Sequence, residues 1–268
     1  MLNYLKQEIC KYNSKEEKFN HLREILQIQA LKFIDKLNYS SNIAFVGGTA
    51  LRILYKVKRF SEDLDFSLIN KENFSFEKMT KDLIREFSLL NIDLSVNTKT
   101  KNNVYIAQLK FSKLLYELNL SNLKEQKLYI KLELDTNPPQ GANLEYSIQK
   151  EFFGIKHYAI ESLYAGKLHA LLYRKYTKGR DFYDFMWYLT NNINVNLELL
   201  NNAISQSTTR KSKLDKKKLK EKLIEMISKT DFKKVNEDLE TFIFDKNELK
   251  LITKENFLNL LKQNRHLL

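Results

Sequence analysis

The sequence predicts an α+β fold: a mixed or antiparallel sheet flanked by helices over residues 1–150, followed by an α-helical domain over residues 151–268. Three observations predict it. Apolar residues alternate with polar ones in several short segments between residues 60 and 135, the period of a strand. Beyond about residue 160 the apolar residues recur at helical spacing instead. Between the two lies Asn137-Pro138-Pro139-Gln140-Gly141, the only proline-containing segment, which breaks the alternation.

Each element follows from a local pattern. Phe19, Leu22, Ile25, Leu26, Gln29, Phe33 and Leu37 recur at three- and four-residue steps and predict a helix over about 15–37. Ile43-Ala44-Phe45-Val46 is a short apolar strand ending at the turn Gly47-Gly48-Thr49, after which Ala50–Tyr55 is helical. A second strand is expected over Phe60–Leu68 and a helix over about 76–90, starting near Ser75. Ile92–Val96 and Val104–Phe111 both alternate, with a polar turn from Asn97 to Asn103, and so form a hairpin. Tyr129–Asp135 alternates again. Helices are then expected over 161–175, 180–190, 196–206, 213–228, 231–244 and 253–264, and no internal repeat is present.

The chain has 268 residues, 43% hydrophobic and 29% charged, as expected of a globular protein. No uncharged apolar run approaches the roughly 20 residues needed to span a bilayer, and the start of the chain lacks a secretory apolar stretch; a cytoplasmic location is expected. A single cysteine, Cys10, excludes an intrachain disulfide framework and a multi-cysteine zinc site. His21, His157, His169 and His266 have no ligand spacing, and nothing supports a serine or Cys–His nucleophile. The net charge of +12 favours a polyanionic partner through counterion release. A general compositional bias toward Lys and Asn would give the same balance.

The chemistry-bearing pattern begins in the second strand. Leu64, Phe66 and Leu68 share one face, and Asp63, Asp65 and Ser67 the other. Two carboxylates converging on one point repel each other, and a divalent cation relieves the repulsion; Mg²⁺ suits a few carboxylates with water and phosphate oxygens. Lys131, Glu133 and Asp135 repeat the arrangement on Tyr129–Asp135. Neighbouring strands with both acidic faces on one side would gather three or four carboxylates, enough for two metal ions. An ordinary half-exposed sheet also carries acidic residues on its wet face. The upstream Gly47-Gly48-Thr49 turn adds weight, because small residues at a helix N-terminus let backbone N–H groups approach a phosphate.

A second constellation lies further on. Lys167, Ala170 and Arg174 fall at i, i+3 and i+7, and Arg180-Asp181-Phe182-Tyr183-Asp184 opens the next helix with Arg180 and Asp184 at i, i+4. Either a helix-stabilising network or a lysine that reaches a nucleotide phosphate would explain it. The run Arg210, Lys211, Lys213, Lys216, Lys217, Lys218, Lys220 and Lys222 is a solvated helix face or a nucleic-acid contact.

Phe45-Val46-Gly47-Gly48-Thr49-Ala50-Leu51-Arg52 followed by Arg59-Phe60-Ser61-Glu62-Asp63-Leu64-Asp65-Phe66 resembles the AbiEii/AbiGii toxin family of nucleotidyltransferases, within the DNA polymerase β-like superfamily. Lys131-Leu132-Glu133 resembles the family's lysine-plus-carboxylate strand. The stretch Glu161–Asp184, with Lys167, Arg174 and Arg180, resembles its helical motif. The four elements stand in family order over roughly residues 43–190.

The resemblance implies a polymerase β-like nucleotidyltransferase domain. Gly47, Gly48 and Thr49 would hold the triphosphate, and Asp63 and Asp65 would ligate Mg²⁺. Glu133 would be a third metal ligand or the base, with Asp135 able to exchange roles with it. Lys131 and Lys167 would neutralise phosphate charge; Arg174 and Arg180 are candidate nucleotide contacts, and Arg59, Ser61, Asp181 and Asp184 are further candidates. The reaction implied is NMP transfer from an NTP to an acceptor hydroxyl, with RNA, in particular tRNA, as acceptor and a cognate antitoxin as partner. Transfer to a small molecule or protein, or a non-enzymatic interaction protein that keeps the fold, are the alternatives.

Overall fold

The structure is a computed structural model and describes residues 1–174, 176, 178–208 and 213–264. Arg210, Lys211 and His266 therefore lie outside the described residues. The chain forms two compact units: Met1–Leu54 with Ser61–Pro138 and Tyr146–His157, and Tyr55–Phe60 with Pro139–Glu145 and Tyr158–Leu268.

The first unit starts with α1 (Leu2–Ile9) and α2 (Lys15–Lys36). Ser14 and Glu17 form a reciprocal capping box that satisfies two backbone donors at the start of α2. The helix buries Leu22, Leu26, Ala30 and Phe33 as its inward stripe, together with Gln27. There follow β1 (Ile43–Val46), α3 (Gly47–Tyr55), β2 (Leu64–Leu68), α4 (Phe76–Leu89), β3 (Leu94–Lys101), β4 (Val104–Phe111), α5 (Leu114–Glu117), β5 (Leu128–Asp135), β6 (Leu144–Ile148) and β7 (Gly154–Tyr158).

The strands form one seven-stranded sheet in the order β3-β4-β5-β2-β1-β7-β6. It is mixed: β1 is antiparallel to β2 and parallel to β7, β2 is parallel to β5, and β3, β4 and β5 are successively antiparallel. The parallel β2–β5 pair requires a long crossover, here α4 plus the β3–β4 hairpin. Phe45, Leu64, Phe66, Leu132 and Leu134 are buried, and α2 packs against α4 and β5.

Several local expectations shift. The helix after β1 begins at Gly47 rather than Ala50, so the Gly-Gly turn is itself the first turn of α3. β2 begins at Leu64, leaving Asp63 just ahead of the strand. The polar stretch expected as a turn from Asn97 to Asn103 is mostly β3, which pairs in register down to Lys101↔Val104. β3 is an edge strand exposed over Thr98–Lys101, so nothing forces an alternating apolar pattern there, and its lysines discourage edge pairing. α5, β6 and β7 are additional elements. Asn supplies much of the turn chemistry: six of the nine non-glycine residues with positive φ among those described are Asn, the side chain that best tolerates the left-handed region.

The second unit is helical: α6 (Ile160–Tyr173), α7 (Gly179–Thr190), α8 (Leu197–Ser207), α9 (Lys216–Lys229), α10 (Phe232–Leu239) and α11 (Lys254–Gln263), with a 3-10 turn over Lys246–Leu251. Asn196, Asp215, Asp231 and Thr253 each cap a helix by accepting a backbone N–H. Tyr164, Leu168, Phe185, Tyr188, Leu223 and Phe257 are fully buried. α10 stops at Leu239 rather than near 244, because the chain turns to pair Ile243 with Arg59 in an isolated antiparallel bridge, with Phe60 N donating to Phe242 O at 2.6 Å. No helix among the described residues is long and apolar enough to cross a membrane.

Candidate active site

Strand register brings the acidic residues of the first unit together. Asp65 stands beside Val46 of β1 on one side and Glu133 of β5 on the other. Lys131, one pleat back on β5, places its ammonium 3.0 Å from Glu133 Oε2 and 3.5 Å from Asp63 Oδ2. Asp63, Asp65, Glu133 and Lys131 are all half-buried. Burial pulls the Lys131 amine down, but the carboxylates of Asp63, Glu133 and Asp65 outweigh it and hold the amine above the ordinary lysine value.

Gly47 is what allows Asp65 its place. Its φ is +78°, a left-handed conformation that side chains rarely adopt, and a Cβ built on it would lie 2.9 Å from Asp65 Cβ and overlap the carboxylate. The aspartate therefore rests directly on the glycine backbone at the start of α3. Helix N-termini carry unpaired N–H groups and partial positive charge, so this end of α3 joins an anion-attracting backbone to a cluster of carboxylates.

Thr49 behaves differently from a phosphate contact. It is 1% exposed. Its hydroxyl donates to the Asp63 backbone carbonyl and lies 2.9 Å from Ser61 Oγ. Both Thr49 and Ser61 are thus engaged in fixing the loop that delivers Asp63. Gln27, a residue the sequence did not single out, adds to this by donating from Nε2 to the Ser61 carbonyl at 3.2 Å. Its only signal was a buried-face position on α2, which an apolar periodicity scan passes over.

Asp135 stands one pleat beyond Glu133, beside Ser67 and Val104. Its Oδ1 accepts the Asn137 N–H at 2.9 Å. Burial raises its carboxyl above the usual range against that hydrogen bond.

The second unit holds its own charged cluster. Arg59, 1% exposed, makes a bidentate pair with the fully buried Asp184: Nε to Oδ1 at 2.5 Å and Nη2 to Oδ2 at 2.6 Å. The fork geometry is the strongest form of a carboxylate pair, and Nη1 also donates to the Phe60 carbonyl at 2.9 Å. Lys167 sits 2.8 Å from Asp181 Oδ1 and 2.8 Å from Asp184 Oδ2. Arg174 bonds Asp181 Oδ2. Three cations thus face two carboxylates, and Arg174 is the most exposed of the cations. Burial lowers the Lys167 amine and raises the Asp181 carboxyl. The opposing charges win in both cases, so the amine stays above its ordinary value and the carboxyl below.

The four sequence elements therefore fall into two groups. Asp63, Asp65, Glu133, Lys131, Gly47, Gly48, Thr49 and Ser61 gather in the first unit. Lys167, Arg174, Asp181, Asp184 and Arg59 gather in the second. Arg180 stacks its guanidinium 3.9 Å from the centre of the Phe242 ring. Lys213, Lys216, Lys217 and Lys218 are exposed around the start of α9, and Lys222 turns away to bond Tyr173 Oη at 2.7 Å.

Residues 29–260 match the family described as nucleotidyl transferase AbiEii toxin, type IV TA system. Among solved structures, a candidate nucleotidyltransferase from H. pylori superposes with a TM-score of 0.56 at 19% identity, over 92% of this chain and 97% of its own. At that identity the likeness speaks for the fold alone. JHP933 from Helicobacter pylori aligns over 91% of this chain and 96% of its own, at 18% identity and a TM-score of 0.46, too low to carry an argument. No curated protein matches the sequence.

Two outcomes follow from the geometry. Gly47→Ala displaces Asp65 and is expected to cut nucleotidyl transfer about a hundredfold, the cost of misplacing a reacting group by about an ångström, while far-UV circular dichroism stays native. Asp181→Asn bears on acid stability. A carboxyl held below its unfolded value contributes stability above that value and loses it as pH falls through the folded one. The substitution is therefore expected to lower stability at neutral pH and to flatten the fall below about pH 4, measured by urea unfolding across pH.

Proposed function

The chain belongs to the AbiEii nucleotidyl transferase toxin family of type IV toxin–antitoxin systems, and from that premise we propose that this nucleotidyltransferase moves NMP from an NTP to a hydroxyl of an RNA acceptor, tRNA being the foremost case. The observation that carries the reading is the Asp65 carboxylate resting on Gly47 at the head of α3 and level with Glu133. In the reaction, the acceptor oxygen forms a bond to the α-phosphorus, the bond from that phosphorus to the bridging oxygen breaks, and pyrophosphate leaves with the electron pair.

The donor set fits Mg²⁺ of a particular kind. Among the described residues no three His, Cys, Asp or Glu side chains are spaced to enclose a metal ion by themselves. Mg²⁺ seldom needs such a cage, since it keeps waters and takes one or two carboxylates plus substrate phosphate oxygens. Asp63 and Asp65, with Glu133 as the third carboxylate, suit one or two ions that arrive with the triphosphate. Lys131 supplies the neutralising charge in their absence. When bound, the metal would polarise the α-phosphate and draw off charge from the leaving pyrophosphate.

The protein groups do the rest. Backbone N–H groups of Gly47 and Gly48 hold the phosphates at the helix N-terminus. Thr49 and Ser61 position Asp63 rather than touching substrate. Glu133 is the better base of the two β5 acids, because it is level with Asp65, whereas Asp135 is bonded to Asn137. Lys131 screens charge as the phosphates enter. In the helical unit, Arg59 and Asp184 hold Lys167 in place, and Arg174 is the most exposed of the three cations. The excess of basic residues agrees with a polyanionic acceptor. A cognate antitoxin and a cytoplasmic setting complete the reading.

The test is incubation with each labelled NTP, Mg²⁺ and total RNA, with Asp65→Asn as control. Label entering RNA with the wild-type chain, and falling at least a hundredfold with Asp65→Asn, is the expected result. Label entering only protein or small molecules overturns the RNA acceptor, and equal labelling by Asp65→Asn overturns the site.

A further inference from the structure

A cavity of about 310 Å³ opens on the helical unit between α7 and the 3-10 turn. Trp187 and Met186 of α7, Leu251 of the turn and Ile252 just after it form its apolar lining, with the exposed Lys56 and Lys58 beside them. Trp187 is half-buried and held by its neighbours, the ring centres of Tyr188 and Tyr55 standing 5.3 and 6.2 Å away. The Tyr183 hydroxyl joins the walls, 2.5 Å from Glu248 Oε2 and 3.2 Å from the Lys58 carbonyl. Glu248 is the one carboxylate lining the cavity, against two lysines, which leaves a net positive charge. Leu251 is 59% exposed, an apolar side chain in water where a ligand would cover it.

An indole and a thioether with two lysines alongside is the composition of a single-stranded nucleic-acid platform. A base stacks on the ring because every base has a π-face, and the cations follow the backbone. The size is at the low end for small-ligand sites, enough for one planar base. We propose that this cavity takes an unpaired base of the RNA acceptor, with Lys58 and Lys56 on the adjoining phosphates. The proposal rests on the RNA reading above and gives it a docking point in the helical unit. An apolar side chain of a protein partner would fill the same lining but would make no use of the lysines.

Trp187 is the only tryptophan in the sequence, beside 14 tyrosines, so fluorescence excited at the red edge of the tryptophan band, where tyrosine does not absorb, reports on this cavity. The test titrates the full chain with single-stranded oligoadenylate, without NTP or metal, at several salt concentrations. Saturable quenching that weakens as salt rises is expected. Lys58→Gln is expected to reduce the slope of log affinity against log salt by about 0.7, one phosphate's share for a single strand. Leu251→Asp is expected to weaken binding roughly tenfold by spoiling the apolar lining. No quenching, or quenching indifferent to salt and to both substitutions, overturns the proposal. The titration contains no triphosphate, so its outcome is separate from transfer. RNA labelling without quenching keeps the reaction and removes the cavity from it; quenching without labelling does the reverse.

Discussion

The placement of β2 between β1 and β5 governs where every charged group of the candidate active site stands. Because side chains alternate along a strand, slipping β2 by one residue would send Asp65 into the apolar layer and Leu64 to the acidic face. The register is held from both sides: Leu64, Phe66 and Leu68 must be buried, and Asp65 must rest where only a glycine backbone leaves room. Hydrophobic burial thus selects the face, and Gly47 selects the position along it. Like charges gathered at one point oppose folding, and the Lys131 ammonium between Asp63 and Glu133 offsets that repulsion.

The helical unit solves the opposite problem. Arg59, Lys167, Asp181 and Asp184 are taken out of water, where an unpaired charge would cost several kcal/mol, on the order of 3–5 for a broken buried pair. Each instead finds opposite charge within 2.5–2.8 Å. Such a network adds little net stability over an apolar core. What it supplies here is a fixed array of three cations, of which Arg174 is the most exposed.

The local geometry is legible in the sequence and the long-range geometry is not. Leu64-Asp65 and Lys131-Leu132-Glu133 can be read because strand alternation alone assigns their faces, and the Gly-Gly turn because little else bends a chain so tightly; Asp63, just ahead of the strand, is placed instead by the loop that Thr49 holds. The six C-terminal helices were visible from their apolar period. β3 was cut short because an exposed edge strand needs no apolar alternation. β6 and β7 were missed because they follow the proline break, and β6 is itself an exposed edge. No local pattern could pair Arg59 with Asp184, 125 residues away. Nor could one reveal that the Thr49 hydroxyl turns inward to the Asp63 carbonyl, since residue type alone does not say which way a threonine faces.

The central claim is that the Asp63–Asp65 pair accepts a metal ion that comes with the triphosphate. Calorimetric titration of the full chain with a non-hydrolysable NTP analogue, with and without Mg²⁺, tests it most directly. The account predicts that Mg²⁺ tightens analogue binding to the wild-type chain and that Asp65→Asn abolishes the tightening while leaving metal-free binding intact. Equal tightening in Asp65→Asn, or no effect of Mg²⁺ on the wild-type chain, would contradict it.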